Sequence, residues 1–323
     1  MALACLLDRL VGDPQGWLHP VAVMGWWIDR LRRLIEALAG EIPWRLRLGG
    51  GLITLVLVAG SALSGWCLEG LARLQPWIGM PLLLLGLSSA LAGGSLERAV
   101  RAVIAALPDL PLARSRLGWI VGRDVSELDR QEILRAAAET ASENAVDGLF
   151  APLFWMLIGA FLWQASPGSW MPGPLALAWA FKASSTLDSM LGYRIGRLRW
   201  LGTAGARLDD VLTWLPCRLV ALSLPLAAGR GDRIGTWLMA ALRDGAPDPS
   251  PNAGVSQAAY AHAAGVRLGG RNRYAQGWCQ KPVLAADQPA ATVHSVERIL
   301  MLSQRLEGLW LLFSGAAAVA MAF

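Results

Sequence analysis

Three acidic side chains recur at four-residue spacing where a polar segment meets an apolar one. Glu139, Glu143 and Asp147 lie in ETASENAVDGLFAPLFW, residues 139–155. Because steps of four residues return to nearly the same face of an α-helix, they are predicted to form one acidic stripe, which Arg135 extends by a turn. Like charges at this spacing repel each other, and Arg135 can neutralise only one of them. We therefore expect either a bound divalent cation with oxygen ligands or a solvated acidic face.

The helix that carries this stripe is predicted over residues 127–148, which contain no Pro and no Gly before Gly148. Asp124 or Ser126 is a suitable cap for its first turn. Glu127 and Asp129 would then lie in that turn, where acids interact favourably with the helix dipole.

Further charges interrupt apolar runs. Lys182 and Asp188 occur in KASSTLDSMLGYR, and a charge within a membrane segment usually faces the protein interior and marks a site. Lys182 could instead extend its ammonium group to the membrane surface. Asp209 and Asp210 precede an apolar run that also contains Arg218, although adjacent acids at a helix start are often only favourable to the dipole.

Two glycine- and asparagine-rich stretches, SPNAG at 250–254 and LGGRNRY at 268–274, combine backbone amides with Arg271 and Arg273. Such segments can cradle phosphates, but they also occur as ordinary turn-rich loops. His19 stands alone in GDPQGWLHPVAVMG, and no zinc-protease, zinc-finger or nucleophile-elbow motif is present.

The composition indicates a membrane protein. Hydrophobic residues make up 54% of the 323 residues and charged residues only 16%, whereas soluble domains average about 25% charged residues. Sixteen Trp against three Tyr fits anchoring at the membrane surface. The net charge of +5 comes almost entirely from Arg between apolar runs, which favours membrane topology signals over nucleic-acid binding.

Six apolar stretches predict an all-α, polytopic membrane protein with five to six membrane helices and helical cytoplasmic loops, built as a single domain over residues 1–323. The stretches are 50–70, 76–92, 149–166, 172–187, 211–228 and 306–323. Arg-rich segments are expected in the cytoplasm and the uncharged segment 167–174 outside; the cytoplasmic segments are 12–47, 93–148, 188–210 and 229–305. Because 188–210 and 229–305 are both basic, 211–228, with Pro216 and Pro225, is expected to be broken or re-entrant.

Taken in order, the blocks GDP…HPV…MG, GRD…RAAAETASENAVDG…APLF, KASSTLDSMLGYR, ARLDDVL…P.RL and SPNAG…LGG.N.Y resemble the CobD/CbiB family, adenosylcobinamide-phosphate synthase. The resemblance runs from about residue 6 to residue 275. It implies an integral enzyme of the cell (inner) membrane with a cytoplasmic active site. That enzyme acts late in cobalamin (vitamin B12) assembly and joins adenosylcobyric acid to aminopropanol, or its phosphate, with ATP and magnesium. This chain departs from the family pattern at two positions: the family would be expected to carry Asn where this chain has Ser185 and Thr213.

The resemblance also implies roles for individual residues. Glu139, Glu143 and Asp147 would hold magnesium and, with Lys182 and Asp188, form the catalytic group. The remaining candidates would bind ATP and the substrates: Asp13, His19, Arg123, Asp124, Arg135, Asn144, Thr186, Asp209, Asp210, Arg218, Asn252, Arg271, Asn272, Arg273 and Tyr274. Asp188, Asp209 and Asp210 are further candidates for the metal.

Two other classes compete with an enzyme. A secondary transporter could bind a coupling ion on the acidic stripe beside a broken helix, although no internal repeat is visible. A structural membrane scaffold would explain the hydropathy but not the crowded carboxylates. The apolar final segment, with Gly308 and Gly315, could pack within the chain, in a homo-oligomer or against another corrinoid-pathway membrane enzyme.

Overall fold

The computed structural model describes residues 1–12, 19–165, 171–274 and 277–320. These residues are mainly helical and include one two-stranded sheet, which confirms the all-α class. The helices are α1 Ala2–Val11, α2 Pro20–Ala39, α3 Pro43–Leu74, α4 Pro76–Ser89, α5 Gly93–Ala105, α6 Leu110–Gly118, α7 Arg130–Ala145, α8 Ala151–Ala165, α9 Pro174–Leu191, α10 Leu198–Leu201, α11 Thr203–Ala227, α12 Ile234–Gly245, α13 Ala253–Ala264 and α14 Val293–Ala320. The strands are β1 Leu268–Tyr274 and β2 Gly277–Leu284.

Four helical segments among the described residues are long and apolar enough to cross a membrane: Pro43–Leu74, Pro76–Ala105, Arg130–Ala165 and Thr203–Ala227. They overlap four of the six predicted stretches. The other two, 172–187 and 306–323, overlap α9 and α14, which are not among these four. The chain is therefore a polytopic helical membrane protein.

The chain forms two compact units, each built from separate parts of the sequence. The first unit comprises Met1–Ala92 and Ala151–Thr213, and the second comprises Gly93–Phe150 and Trp214–Phe323. The prediction of a single domain stays a prediction.

In the first unit, α3 packs along α9, and α2, α4 and α10 also contact α3. A Cβ atom at Gly65 of α3 would lie 2.8 Å from the Cα of Ala176 in α9. Only glycine permits so close an approach, and small residues at such contacts are typical of helix packing in membranes.

The first turn of α9 is capped by a carboxylate from another helix. Gly173 precedes α9 and has no side chain to accept hydrogen bonds, so Glu69 of α3 supplies the acceptors. Its carboxylate accepts from the backbone N–H groups of Gly173 at 2.9 Å, Leu175 at 2.6 Å and Ala176 at 3.0 Å. Because the first N–H groups of a helix lack partners within it, the buried Glu69 completes α9.

The expected break in 211–228 is wrong, because α11 runs as one continuous helix from Thr203 to Ala227 with Pro216 and Pro225 inside it. Pro216 has no N–H to donate to the carbonyl of Leu212, four residues earlier. The indole Nε1 of Trp155 donates to that carbonyl at 3.2 Å instead. A neighbouring side chain thus satisfies the freed backbone group, as is common for prolines in membrane helices.

In the second unit, α7 contacts α5, α6, α13, α14 and β1. The helix begins at Arg130 and not at residue 127, because Asp129 and Glu132 form a capping box. The Asp129 side chain accepts from the Glu132 N–H, and the Glu132 side chain accepts from the Asp129 N–H. Glu132, and not the predicted Glu127 and Asp129, is therefore the acid of the first turn.

The stretch LGGRNRY, for which a loop was considered, is strand β1 of an antiparallel hairpin. A β-bulge falls between Gly269 and Gly270, opposite Pro282, which has no N–H to contribute to the ladder. Gly269 has φ +80°, and a Cβ there would lie 1.8 Å from the carbonyl oxygen of Pro282. Gly269 is thus required both by the backbone conformation and by space.

Candidate functional site

Glu139 of α7 lies at the centre of a buried network in the second unit, and only 3% of its surface is exposed. One carboxylate oxygen accepts from the backbone N–H of Gly269 at 2.8 Å and from Arg135 at 3.1 Å. The other oxygen is paired with the guanidinium of Arg123. Arg123 and Arg135 both donate to the side-chain oxygen of Asn272, so the network fastens the β-hairpin to α7.

The repulsion expected along the acidic stripe is therefore relieved by arginines at Glu139. Arg135 lies on the same helix, whereas Arg123 comes from the preceding loop. Both oxygens of Glu139 are occupied, so this carboxylate does not fit the role of a metal ligand in the structure. Two guanidinium groups beside one buried carboxylate also leave a positive charge in excess.

Glu143, one turn further along α7, lines a polar pocket of about 110 Å³. Its carboxylate accepts from the side-chain amide of Gln257 in α13 at 2.7 Å. The predicted residues Asn272 and Tyr274 also line this pocket, as do Asp248 and Lys281. The pocket has room for a small ion or several water molecules, and nearly all its lining is polar.

Lys281 of β2 donates to Asp248 at 2.7 Å inside the pocket. Burial opposes the charge of this lysine, but the hydrogen bond and the charge of Asp248 outweigh it, so the pKa of Lys281 lies above its ordinary value. The other oxygen of Asp248 accepts from the N–H of Ser250 at 2.9 Å. Asp248 thereby joins the hairpin to the SPNAG segment.

The SPNAG segment lies at the start of α13 and binds an arginine from another helix. Arg218 of α11 donates to the side-chain oxygen of Asn252 and, at 2.7 Å, to the carbonyl of Pro251. Arg218 also lies over the ring of Trp214, 4.7 Å from its centroid. The structure therefore brings together Arg218 and Asn252, which the sequence places 34 residues apart.

A separate acidic group lies in the first unit, on α9 and α11. Asp209 interacts electrostatically with Asp188, Asp210 and Lys182. One side-chain oxygen of Asp209 is buried without a hydrogen-bond partner in the described part of the chain, and the same is true of the hydroxyl groups of Ser184 and Thr213. Because buried polar atoms are almost always paired, these atoms point to a ligand or ordered water. The hydroxyl of Thr186 donates to the carbonyl of Lys182 in its own helix.

Other predicted site residues have local roles. His19 is the N-cap of α2 and accepts from the N–H of Val21 at 3.3 Å. Ser126 donates to Asp124 through its N–H and its hydroxyl, and this holds the pKa of Asp124 below its usual value. Arg273 is paired with Asp124 and Glu127.

The remaining predicted residues differ in what they contact. Arg271 lies over the ring of Trp278, 4.1 Å from the centroid, and makes no ion pair with a described residue. Asn144 is half-buried on α7 without a side-chain hydrogen bond to the described part of the chain. Asp13 lies outside the described residues.

The structure does not gather Glu139, Glu143 and Asp147 into one group. Asp147 lies in a π-helical turn, Val146–Phe150, which interrupts the 3.6-residue repeat, and it does not line the pocket of Glu143. Among the described residues no three His, Cys, Asp or Glu side chains are placed to hold a metal by themselves. The magnesium assignment to this stripe stays a prediction, and its donor geometry does not support it.

Comparison with known proteins decides the family. The family model described as CobD/CbiB protein matches residues 1–303. The chain belongs to the CobD/CbiB family. It is 40% identical to the cobalamin biosynthesis protein CobD of Synechocystis over 98% of this chain and 90% of that protein. It is 39% identical to CbiB of Salmonella arizonae and 37% identical to CobD of Yersinia enterocolitica, each over 93% of this chain and 91% of the relative. No solved structure matches.

Membership of the CobD/CbiB family confirms the resemblance and extends it beyond residue 275, as far as Ser303 in α14. The role of the chain is therefore in cobalamin biosynthesis, and this does not favour the transporter alternative. Sequence reasoning missed four polar residues of the pocket: Thr140, Asp248, Gln257 and Lys281. Lys281 carried a usable signal, because the chain uses Lys at only two of its 29 basic positions.

Proposed function

We propose that the protein forms an amide bond between adenosylcobyric acid and aminopropanol phosphate, or aminopropanol, at the expense of ATP. The product would be adenosylcobinamide phosphate, or adenosylcobinamide. Family membership supports the pathway. The observation that carries the proposed chemistry is the acidic group of the first unit, where Asp209 has a buried oxygen to which no described residue donates a hydrogen bond.

A carboxylate does not react with an amine at neutral pH without activation. An oxygen of the corrinoid carboxylate would attack the γ-phosphorus of ATP, which forms an acyl phosphate and releases ADP. The neutral amine nitrogen would then attack the acyl carbon, form the C–N bond and expel phosphate. One proton leaves the nitrogen, so a base must accept it.

Asp188, Asp209 and Asp210 fit magnesium bound together with ATP better than magnesium bound alone. Magnesium usually keeps water ligands and takes one or two carboxylates together with phosphate oxygens, so three protein ligands are not needed. When bound there, magnesium would offset the negative charge of the phosphates during transfer. Lys182 is coupled to the same group and supplies a point charge suited to a phosphate oxygen.

The second unit offers groups suited to the substrates. Arg271 is exposed and makes no ion pair with a described residue, so its guanidinium is available to a phosphate or a carboxylate. Glu143 lines the polar pocket and accepts from one donor among the described residues, Gln257, which leaves it suited to act as a proton acceptor.

The protein would lie in the cell membrane with this chemistry on the cytoplasmic side. The short Arg-rich segment 188–210, which holds Asp188 and Asp209, supports that orientation, because short loops rich in Arg remain in the cytoplasm. ATP and the charged substrates are available there.

The test is an assay of the purified protein in detergent with adenosylcobyric acid, aminopropanol phosphate, ATP and magnesium, with the amide product measured by mass spectrometry. We expect Asp209→Asn and Glu143→Gln to lower the rate at least about 100-fold, the scale of a lost catalytic group. Asp232→Asn, a change at an exposed acid paired with Arg230 and Arg233, is the control and should keep the wild-type rate.

Wild-type activity in Asp209→Asn would remove the acidic group of the first unit from the mechanism. Absence of product from folded wild-type protein, together with ion-dependent solute uptake in liposomes, would replace the ligase by the transporter.

A further inference from the structure

A second open cavity lies in the second unit, away from the polar pocket of Glu143. This groove of about 520 Å³ lies where the first turns of α14 meet the end of α5 and the residue after α11. Its lining includes Arg101, His294, Glu297, Arg298, Met301 and Arg305. None of these residues belongs to the sequence blocks that resemble the CobD/CbiB family, and the proposed reaction does not use them.

The basic side chains of α14 lie on one face. His294, Arg298 and Arg305 are spaced by four and seven residues, and such steps return to the same side of a helix. Arg101 of α5 faces this stripe, since it lies 3.4 Å from Glu297. Three guanidinium groups therefore surround one groove.

Two of these arginines have no partner among the described residues. Neither Arg298 nor Arg305 makes a hydrogen bond or an ion pair with a described residue. Arg101 forms ion pairs with two acidic residues beside the groove, Glu97 and Glu297. Glu97 also accepts from Gln304 at 2.6 Å. The groove thus keeps a positive excess, and two of its guanidinium groups lack the carboxylate partner that Glu139 gives to Arg123 and Arg135.

An exposed apolar surface begins next to the groove. Trp310 of α14 donates to the hydroxyl of Ser223 in α11 at 3.0 Å, so these helices lie side by side there. After Glu307, α14 carries no charged residue. Leu312 and Phe313 are 71% and 64% exposed, and Leu226 of α11 is 42% exposed. Because α11 belongs to a candidate membrane span, this surface is placed to contact lipid chains.

We propose that the groove binds the phosphate group of an anionic phospholipid. Arg298 and Arg305 would donate to the phosphate oxygens, since guanidinium groups match phosphate in geometry and charge. The acyl chains would lie on the apolar surface of α14 and α11. Basic pockets at the level of the headgroups bind anionic lipids in this way.

The test compares the wild type with Arg298→Gln/Arg305→Gln by native mass spectrometry and thermal unfolding in detergent. Phosphatidylglycerol, phosphatidylcholine and inorganic phosphate are added separately. We expect phosphatidylglycerol to bind and stabilise the wild type, and the double variant to bind it roughly tenfold or more weakly. Phosphatidylcholine should have little effect on either protein.

The matched control is Arg116→Gln/Arg130→Gln. It removes the same charge from two exposed arginines of the second unit that make no ion pair with a described residue. This control should bind phosphatidylglycerol like the wild type, and Arg305→Lys, which keeps the charge, should lose less affinity than the double variant. Equal phosphatidylglycerol binding by the wild type and the groove variant would overturn the proposal. So would stabilisation by inorganic phosphate, lost in the groove variant, without an effect of phosphatidylglycerol.

Discussion

At the scale of single residues, one carboxylate has several partners. Glu139 is bonded to Arg123, Arg135 and the backbone of Gly269, and it thereby holds the hairpin against α7. Removing one member of a buried ionic group is expensive because the others remain charged without compensation. Glu139 is therefore a positioning residue for the pocket that Glu143 lines.

We expect Glu139→Gln to destabilise the protein by roughly 3 kcal/mol, since two buried guanidinium groups lose their carboxylate. The measurements are thermal unfolding in detergent and limited proteolysis of the hairpin, which should be cut faster. Glu127→Gln is the control, because the Glu127 side chain is 76% exposed and should contribute little. Equal stability of Glu139→Gln and the wild type would contradict a structural role for the network.

At the scale of elements, the helix ends show how the fold is specified. The start of α7 follows local rules, since Asp129 and Glu132 cap it from within four residues. The start of α9 does not, because its acceptor is Glu69 on another helix. Because of this cap, the first turn of α9 is stable only when α3 is packed beside it.

Glu69→Ala is expected to lower stability by about 3 kcal/mol, because it leaves three backbone N–H groups of α9 without acceptors in an apolar setting. Thermal unfolding in detergent measures the loss. Glu69→Gln retains one carbonyl oxygen as an acceptor, so its stability should lie between that of the wild type and that of Glu69→Ala. Glu41→Ala serves as control in the same unit, because the Glu41 side chain is 77% exposed and pairs only at the surface with Arg197. A loss no larger in Glu69→Ala than in this control would contradict the capping role.

At the scale of the whole molecule, the sequence predicted what depends on local pattern. Long apolar runs predicted membrane helices, and charges in apolar runs singled out Asp188 and Asp209. Arg135 was expected to neutralise one acid of the stripe, but the contact between Glu139 and Gly269 was out of reach, because Gly269 lies 130 residues further along the chain. The hairpin was missed because its bulge at Gly269 and Pro282 conceals the alternation of a strand. Trp155 could not be foreseen as the group that keeps α11 continuous at Pro216.

The proposed orientation can be tested with the protein's own cysteines. Cys5 and Cys217 are buried, whereas Cys279 is exposed on β2, in a segment expected in the cytoplasm. We expect a membrane-impermeant maleimide to label a variant that retains only Cys279 in inverted vesicles and not in spheroplasts. Cys67, exposed on the candidate span α3, should resist this water-soluble reagent in both preparations. Labelling of Cys279 in spheroplasts would place the hairpin outside the cell.

The cap on α9 also bears on how the chain is made. Glu69 leaves the ribosome 104 residues before Gly173, the first residue whose N–H it binds. The opening turn of α9 therefore acquires its hydrogen bonds only if α3 is already in the membrane and close by when α9 emerges. During synthesis, α3 is made first and provides the carboxylate that the start of α9 needs. The order of translation therefore contributes to the formation of α9.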